Sequence, residues 1–382
     1  MPTEPKGVLT AVDLFAGCGG ASLGFRNAGF EVRAAVELDP IAASTYSANH
    51  TQVTPLVGDI RQFPASLILQ SARLQKGECT VVLGCPPCQG FSTHRLHGSG
   101  SDDPRNELVE VFAERVIDVR PLFFVFENVP GLMRQTGSPW PAVRAKLCES
   151  GYRVVEDLLN AADYGAPQRR KRLVAVGCRM EGVDPTLPEP THGKPKPDRP
   201  SNGVKHPWLT VRDAIENLKT LANGETSGDP LHYAPKHTDD SLARFAAIPK
   251  DGGSRRELPE NLKLKCHSDH EGHRDVYGRL WWDKPATTIT AGCTQPSKGR
   301  FLHPEQDRGL TLREAARLQG FPDSYVFTGS KQEIALQIGN AVPPPLAYAV
   351  GLAIRRMLSP VEALSPEERP PQREREVPQP QH

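Results

Sequence analysis

The residues best placed to do chemistry lie in Gly84-Cys85-Pro86-Pro87-Cys88-Gln89-Gly90-Phe91-Ser92, directly after the apolar run Val81-Val82-Leu83. The two prolines fix two φ angles and remove two N–H donors, so neither a helix nor a sheet ladder continues through them. A cysteine on a stiff turn at the carboxyl end of a strand stands where open α/β sheets carry their ligands. Cys88 is therefore the candidate nucleophile. Cys85 and Cys88 also have the spacing of a redox pair or half a zinc site. A structural zinc needs two further ligands, whereas Cys18, Cys79, Cys148, Cys178, Cys266 and Cys293 are each isolated. A thioredoxin-like pair opens a helix, and Gln-Gly-Phe-Ser does not read as a helix start.

A free thiol, with a pKa near ~8.5, is only slightly ionised at neutral pH and needs activation. Two segments supply ionisable partners. Glu127 follows the apolar strand Phe123-Phe124-Val125-Phe126, which brings its carboxyl to the sheet edge that carries Cys88. Gln168-Arg169-Arg170-Lys171-Arg172 precedes the strand Leu173-Val174-Ala175-Val176. Period-two alternation puts Gln168, Arg170 and Arg172 on one face, toward the site, and Arg169 and Lys171 on the solvated one.

A third cluster is the turn Asp13-Leu14-Phe15-Ala16-Gly17-Cys18-Gly19-Gly20. Its glycines admit a ligand close to the backbone, but Ser22 stands where the dinucleotide fingerprint needs a third glycine, and there is no P-loop Lys-Ser/Thr. Acids follow instead at the next strand ends, Glu37 and Asp59. A carboxylate about twenty residues beyond such a turn suits ribose hydroxyls. Asp59 is placed to accept from an adenine amino group and Phe15 to stack on the ring. Glycines and acids without a phosphate-binding base favour a nucleoside such as S-adenosylmethionine over NAD or ATP.

These residues need a sheet to position them. Apolar strands at Leu9–Phe15, Val32–Val36, Val81–Leu83 and Phe123–Phe126 alternate with helical stretches at 21–28, 40–49 and 108–119, which implies a parallel sheet covered on both faces. From 184 to 207 the chain turns to Pro, Lys, Gly and Asp, an extended linker, and 208–300 is polar. A helix resumes at Leu312–Leu318, with Gly320 as its cap. Past Leu358 the Pro, Glu, Gln and Arg tail is expected to be disordered. The chain of 382 residues is long enough for two domains. Irregularly spaced cysteines fit a reducing compartment, and Met1–Lys6 has no signal-peptide character. A soluble cytoplasmic protein with no membrane contact is expected. The net charge of +1 neither favours nor excludes nucleic acid.

Taken together, the motifs from 8 to 357 resemble those of the C5-cytosine DNA methyltransferases, in the family's order. They include Asp13–Phe25, Glu37, Gly58-Asp59-Ile60, Pro86-Pro87-Cys88-Gln89, Asp103-Pro104-Arg105-Asn106-x-Leu108, Glu127-Asn128-Val129 and Gln168-x-Arg170-x-Arg172. Leu312–Asp323 and Gln337–Pro344 complete the set. The resemblance implies a Rossmann-like S-adenosylmethionine-dependent α/β domain with a mixed sheet, formed by 1–180 and 331–357. A smaller domain, 181–330, would hold the target-recognition region, and 358–382 the tail. It implies methyl transfer from S-adenosylmethionine to C5 of a cytosine flipped out of double-stranded DNA, through a covalent bond from Cys88 to C6. Glu127, Arg170 and Arg172 would be the other catalytic residues. Phe15, Ala16, Gly17, Gly19, Gly20, Glu37, Asp59, Ile60, Pro86, Leu108, Asn340 and Val342 would hold the cofactor. DNA would meet Gln89, Ser92, Arg105, Gln168, Arg279, Thr288 and Arg300.

Cys85 replaces a common glycine, and His94 follows the Ser-Thr of the loop 89–105, which resembles the family's mobile loop. The run Cys266–His273 lacks a closed ligand set and reads as a polar DNA-facing loop, so no metal is expected. A tRNA methyltransferase of the same fold and a catalytically silent DNA-binding protein are the alternatives. Without appended chromatin-reading domains, a monomeric bacterial enzyme acting at the nucleoid is expected, either an orphan or the partner of a restriction endonuclease that it need not touch.

Overall fold

The computed structural model describes residues 7–87, 107–194, 206–264 and 275–359. In chain order the elements are β1 (Thr10–Leu14), α1 (Gly20–Asn27), β2 (Glu31–Glu37), α2 (Pro40–Asn49), β3 (Leu56–Val57), α3 (Ala65–Ala72), β4 (Val81–Gly84), α4 (Glu107–Val119), β5 (Phe123–Asn128), α5 (Gly131–Arg134) and α6 (Trp140–Glu149). There follow β6 (Arg153–Asn160), β7 (Lys171–Cys178), β8 (His192–Gly193), β9 (His206–Pro207), α7 (Val211–Ile215), α8 (Asp239–Ala247), α9 (Leu312–Gln319), α10 (Lys331–Asn340) and α11 (Pro344–Leu358).

Seven strands form one sheet in the order β3-β2-β1-β4-β5-β7-β6. The first five are mutually parallel, and β7 runs antiparallel to both β5 and β6. Alternation of strands and helices predicts the parallel part; β6 and the reversal at β7 go beyond it, because β6 is an edge strand with few buried residues. Strand order reverses between β1 and β4, which opens a crevice beyond their carboxyl ends. The glycine turn leaves β1 there and Cys85 leaves β4 beside it.

Period-two packing sorts each strand between two cores. Val81, Leu83, Phe123 and Val125 join Phe25 of α1 and Leu346, Val350 and Ile354 of α11. Val82, Phe124 and Phe126 join Ile68, Phe112 and Trp140 on the other face. The last helix therefore returns from the end of the chain onto the first sheet face. A third core joins Cys18 and Leu23 to Val211, Ile215, Ile289, α9 and α10. The boundary expected between 330 and 331 thus falls within one continuous core, because Ile334 and Ile338 pack with Ala315 and Leu318.

Helix α9 forms where local signals agree. Thr311 and Glu314 cap each other reciprocally, and Gly320 takes the left-handed conformation at φ 94°. Glu314 also pairs with buried Arg308 at 2.7 Å. The last turn of α10 packs with no room to spare: a Cβ on Gly339 would lie 2.2 Å from the backbone of Thr290 and Ala291. Backbone cannot rotate away as a side chain can. Gly339→Ala is therefore expected to destabilise the protein by about 1–3 kcal/mol, beyond the gain in helix propensity, and to lower the urea midpoint.

Candidate active site and cofactor crevice

Glu127 on β5 and Arg172 on β7 meet at the carboxyl edge of the sheet, with 3.2 Å between Oε1 and Nε. Both side chains are almost fully covered. Burial pushes the Glu127 carboxyl above its usual range, outweighing the opposing pull of Arg172 and Arg170. A carboxyl in this state can retain a proton and donate it.

Arg170 is buried behind the pair, and its terminal nitrogens donate to the carbonyls of Ile289 at 2.8 Å and Gly339 at 3.0 Å. Burial first, then repulsion from Arg172, lowers its pKa. Against the expectation that Arg170 holds substrate, both its terminal nitrogens bond backbone carbonyls and only its buried Nε is without a partner among the described residues, so it ties two segments together. Gln168 is likewise fully buried rather than facing DNA. It accepts from the Ile289 N–H at 3.0 Å and donates to the Leu318 carbonyl and the Gln319 side chain. Gln319 in turn donates to the Ala341 carbonyl at 2.6 Å. Alternation assigned the shared face of Gln168, Arg170 and Arg172 correctly, but much of that face is interior.

Two further DNA expectations need correction. Arg279 is fully buried and bonds to the carbonyls of Phe245, Ile248, His303 and Gln306 and to Asp307. Arg300 is buried against Trp281, 4.1 Å from its ring centre, and binds Asp275 and the carbonyls of Gly252, Gly253 and Arg279. Each guanidinium ties loops together, in a region with little regular structure to do so. Thr288 is partly exposed, but its hydroxyl donates to the Arg169 carbonyl at 2.8 Å. Cys88, Gln89, Ser92, His94, Arg105 and the run Cys266–His273 lie outside the described residues.

Cys85 has a geometry that argues against reactivity. It lines a small apolar void with Gly84, Glu127 and Val342. Burial, with the carboxyls of Glu127 and Asp13 nearby, drives its thiol pKa well up. Next to it, the carbonyl of buried Pro86 accepts from Asn128 Nδ2 at 2.9 Å, which anchors the proline turn to the end of β5. Asn128 lies in the run Glu127-Asn128-Val129, yet its anchoring role has no sequence signal.

The crevice at β1 and β2 has the donor set of a nucleoside site. Gly17 and Gly19 have φ of 54° and 94°. Phe15 is also left-handed, at φ 66°, and flanks buried Ala16. Glu37 accepts from the N–H groups of Gly17 at 2.6 Å and Asp39 at 2.8 Å, one on each oxygen. Each oxygen retains accepting capacity for a hydroxyl. Leu38 and Val57, 65% and 47% exposed, offer apolar surface beside it. Ile60 is buried, Leu108 is half-buried, Val342 is buried and Asn340 is exposed at the end of α10. The Asp59 carboxylate caps a turn at Arg61 N and forms a fork with the Arg61 guanidinium. That pair is exposed, so Asp59 is held in place rather than consumed.

Asp13, Ser22, Tyr46, His50 and Tyr325 underlie this turn, and no motif pointed to their joint role. Asp13 accepts from Ser22 Oγ at 2.6 Å, while its other oxygen has no partner among the described residues. Burial raises its pKa to about 7. Among the described residues no group of three or more His, Cys, Asp or Glu has a metal-holding arrangement, and no helix is long and apolar enough to cross a membrane.

A switch-point crevice with acids for a nucleoside, beside a buried Glu–Arg pair and a proline-held cysteine turn, defines an S-adenosylmethionine-dependent methyltransferase fold. Residues 9–356 match the family described as C-5 cytosine-specific DNA methylase, and the chain belongs to it. It is 38% identical over 354 residues to the Type II methyltransferase M1.HphI of Haemophilus parahaemolyticus, covering 91% of this chain and 87% of that protein. It is 34% identical to the Type II methylase M.HgiDII of Herpetosiphon aurantiacus, covering 92% and 96%. A solved structure described as a DNA modification methyltransferase encoded within an E. coli prophage superposes with a TM-score of 0.71 at 26% identity, over 92% of this chain and 99% of that one. The chain is accordingly a DNA (cytosine-5)-methyltransferase that uses S-adenosylmethionine.

Two predictions test the electrostatics. With a folded pKa near 7 and an ordinary unfolded one, Asp13 binds more proton in the native state between about pH 4 and 7. Its contribution to stability is complete below that window and is lost as pH rises through it. Urea midpoints from pH 5 to 7.5 should therefore fall more steeply in wild type than in Asp13→Asn. Arg279→Ala should lower thermal stability, while the salt dependence of DNA binding by the folded variant stays at the wild-type slope, since no phosphate contact is lost.

Proposed function

We propose that methyl transfer proceeds through a covalent bond between Cys88 and C6 of a cytosine extruded from the duplex, with Glu127 as proton donor at N3. The observation that carries this reading is the Glu127–Arg172 pair, where burial holds the carboxyl above its usual range. Attack by the Cys88 thiolate at C6, with a proton from Glu127 at N3, makes C5 an enamine carbon. S-adenosylmethionine, when bound, would supply the methyl group that C5 takes, its sulfonium S–CH3 bond breaking to leave S-adenosylhomocysteine. Loss of the C5 proton to solvent, with return of the N3 proton to Glu127, then restores the ring and expels Cys88 as the thiolate. Arg172 orients Glu127 and lies within reach of the base; Arg170 supports it from behind. Extrusion costs a few kcal/mol, which contacts to the base and the flanking DNA must offset.

Cofactor binding is assigned to the turn Phe15–Gly20, Glu37, Asp59, Ile60, Pro86, Leu108, Asn340 and Val342. Glu37 would accept from ribose hydroxyls, and Leu38 and Val57 would flank the base. Gln89, Ser92, Arg105 and Thr288 remain the residues assigned to DNA. The domain division at 1–180 with 331–357 and 181–330 is retained as a functional one, with recognition placed in the latter. Such a protein would act as a monomer at the bacterial nucleoid, either as an orphan enzyme or sharing its sites with a restriction endonuclease that it need not touch.

Cys88→Ser should abolish methyl transfer and the covalent trapping of DNA that carries 5-fluorocytosine. Cys85→Ser should retain substantial activity, because the Cys85 thiol is half-buried and held protonated by desolvation and the nearby carboxyls. Equal loss in two folded variants would refute the single-nucleophile assignment.

A further inference from the structure

We propose that His50 and Tyr325 are positioning residues for the cofactor turn, and that through Tyr325 the segment after α9 sets the conformation in which that turn meets S-adenosylmethionine. The proposal rests on the cofactor site assigned above. Gly19 is packed directly against both side chains: a Cβ there would lie 2.5 Å from His50 Nε2 and 2.8 Å from the Tyr325 hydroxyl. The Tyr325 hydroxyl donates to the Cys18 carbonyl, within the turn, and His50 Nε2 lies 3.3 Å from that hydroxyl. Since the hydroxyl proton is used on Cys18, its oxygen is free to accept from a protonated Nε2.

Both groups are buried, and nothing on the surface explains them. Burial first, then the Arg26 charge, lowers the His50 pKa to about 4, so the ring is neutral at physiological pH and keeps one donor and one acceptor. The pair is braced from two sides. The His50 ring stacks on Tyr46 at 4.4 Å, and the Tyr46 hydroxyl meets Ser22 Oγ at 2.9 Å, which bonds Asp13. The Tyr325 ring packs against Phe321 at 4.7 Å and Phe327 at 5.3 Å. Asn49 Nδ2 and Thr45 Oγ1 also bond the backbone of Val326 and Thr328, so the 325–328 segment is stitched to α2. Two backbone stretches far apart in sequence thus close on one peptide of the glycine turn.

The test uses the full-length chain. Tyr325→Phe removes one hydroxyl and leaves the ring packing, so it should fold. His50→Leu removes the ring nitrogens, and His50→Gln restores a donor at a similar reach. Calorimetry with S-adenosylhomocysteine should show affinity about three- to tenfold weaker in Tyr325→Phe and in His50→Leu, as expected for one lost buried hydrogen bond, with partial recovery in His50→Gln. The KM for S-adenosylmethionine should rise by a similar factor, while kcat at saturating cofactor stays within about twofold. A general loss of folding would lower the active fraction and hence kcat, without that split. Glu37→Ala serves as the reference for the site. If Glu37→Ala weakens binding and Tyr325→Phe does not, or if kcat falls in place of a rise in KM, the inference is overturned while the cofactor site stands. If Glu37→Ala leaves the affinity unchanged, the site assignment fails and takes the inference with it.

Discussion

One carboxyl and two guanidinium groups are buried together at the carboxyl edge of the sheet, and much of the surrounding structure exists to make that tolerable. Taking charges out of water costs several kcal/mol each unless partners replace the lost hydration. Arg172 finds its partner in Glu127. Arg170 has no carboxylate of its own and instead spends its donors on the carbonyls of Ile289 and Gly339. Those carbonyls belong to segments more than a hundred residues away, so solvating one arginine requires the late part of the chain to close over the early part.

The same requirement organises the polar chain around it. Gln168 reads both the N–H of Ile289 and the carbonyl of Leu318, and Gln319 continues to the carbonyl of Ala341. The start of β7, the 286–290 segment, α9 and the end of α10 are thereby held in one register. Buried amides with satisfied donors and acceptors are rigid, because any shift leaves a polar group unpaired in a low-dielectric interior. The active-site edge and the residues beside the cofactor crevice share that rigidity.

The switch point supplies the second half of the arrangement. Parallel pairing of β1 with both β2 and β4 sets the glycine turn between Glu37 on one side and Cys85 and Pro86 on the other. The nucleoside proposed at Glu37 on β2 and the base proposed at Glu127 on β5 would lie on either side of this switch point, over strand ends separated by β1 and β4. Asn128 fixes the proline turn to the base side of this arrangement by its bond to Pro86. In the proposed function, strand order brings both reacting groups to one edge of the sheet.

Much of this was legible in the sequence because it is local. Apolar runs of three to seven residues mark the strands, Thr311 with Glu314 and Gly320 mark α9, and a proline pair stiffens the turn that leads to Cys88. Glu127 and Arg172 were also legible, since strand ends and period-two alternation decide which way they emerge. What alternation leaves undetermined is whether a face meets solvent, substrate or another part of the chain. Gln168, Arg170, Arg279 and Arg300 were read as available donors, and each proved buried, because the carbonyls that solvate them come from distant segments with no pattern of their own. The same holds for His50 and Tyr325, 275 residues apart, whose meeting on the Cys18–Gly19 peptide depends on how the chain returns. Residue type and spacing set the available chemistry; only tertiary packing decided which polar groups were left free to perform it.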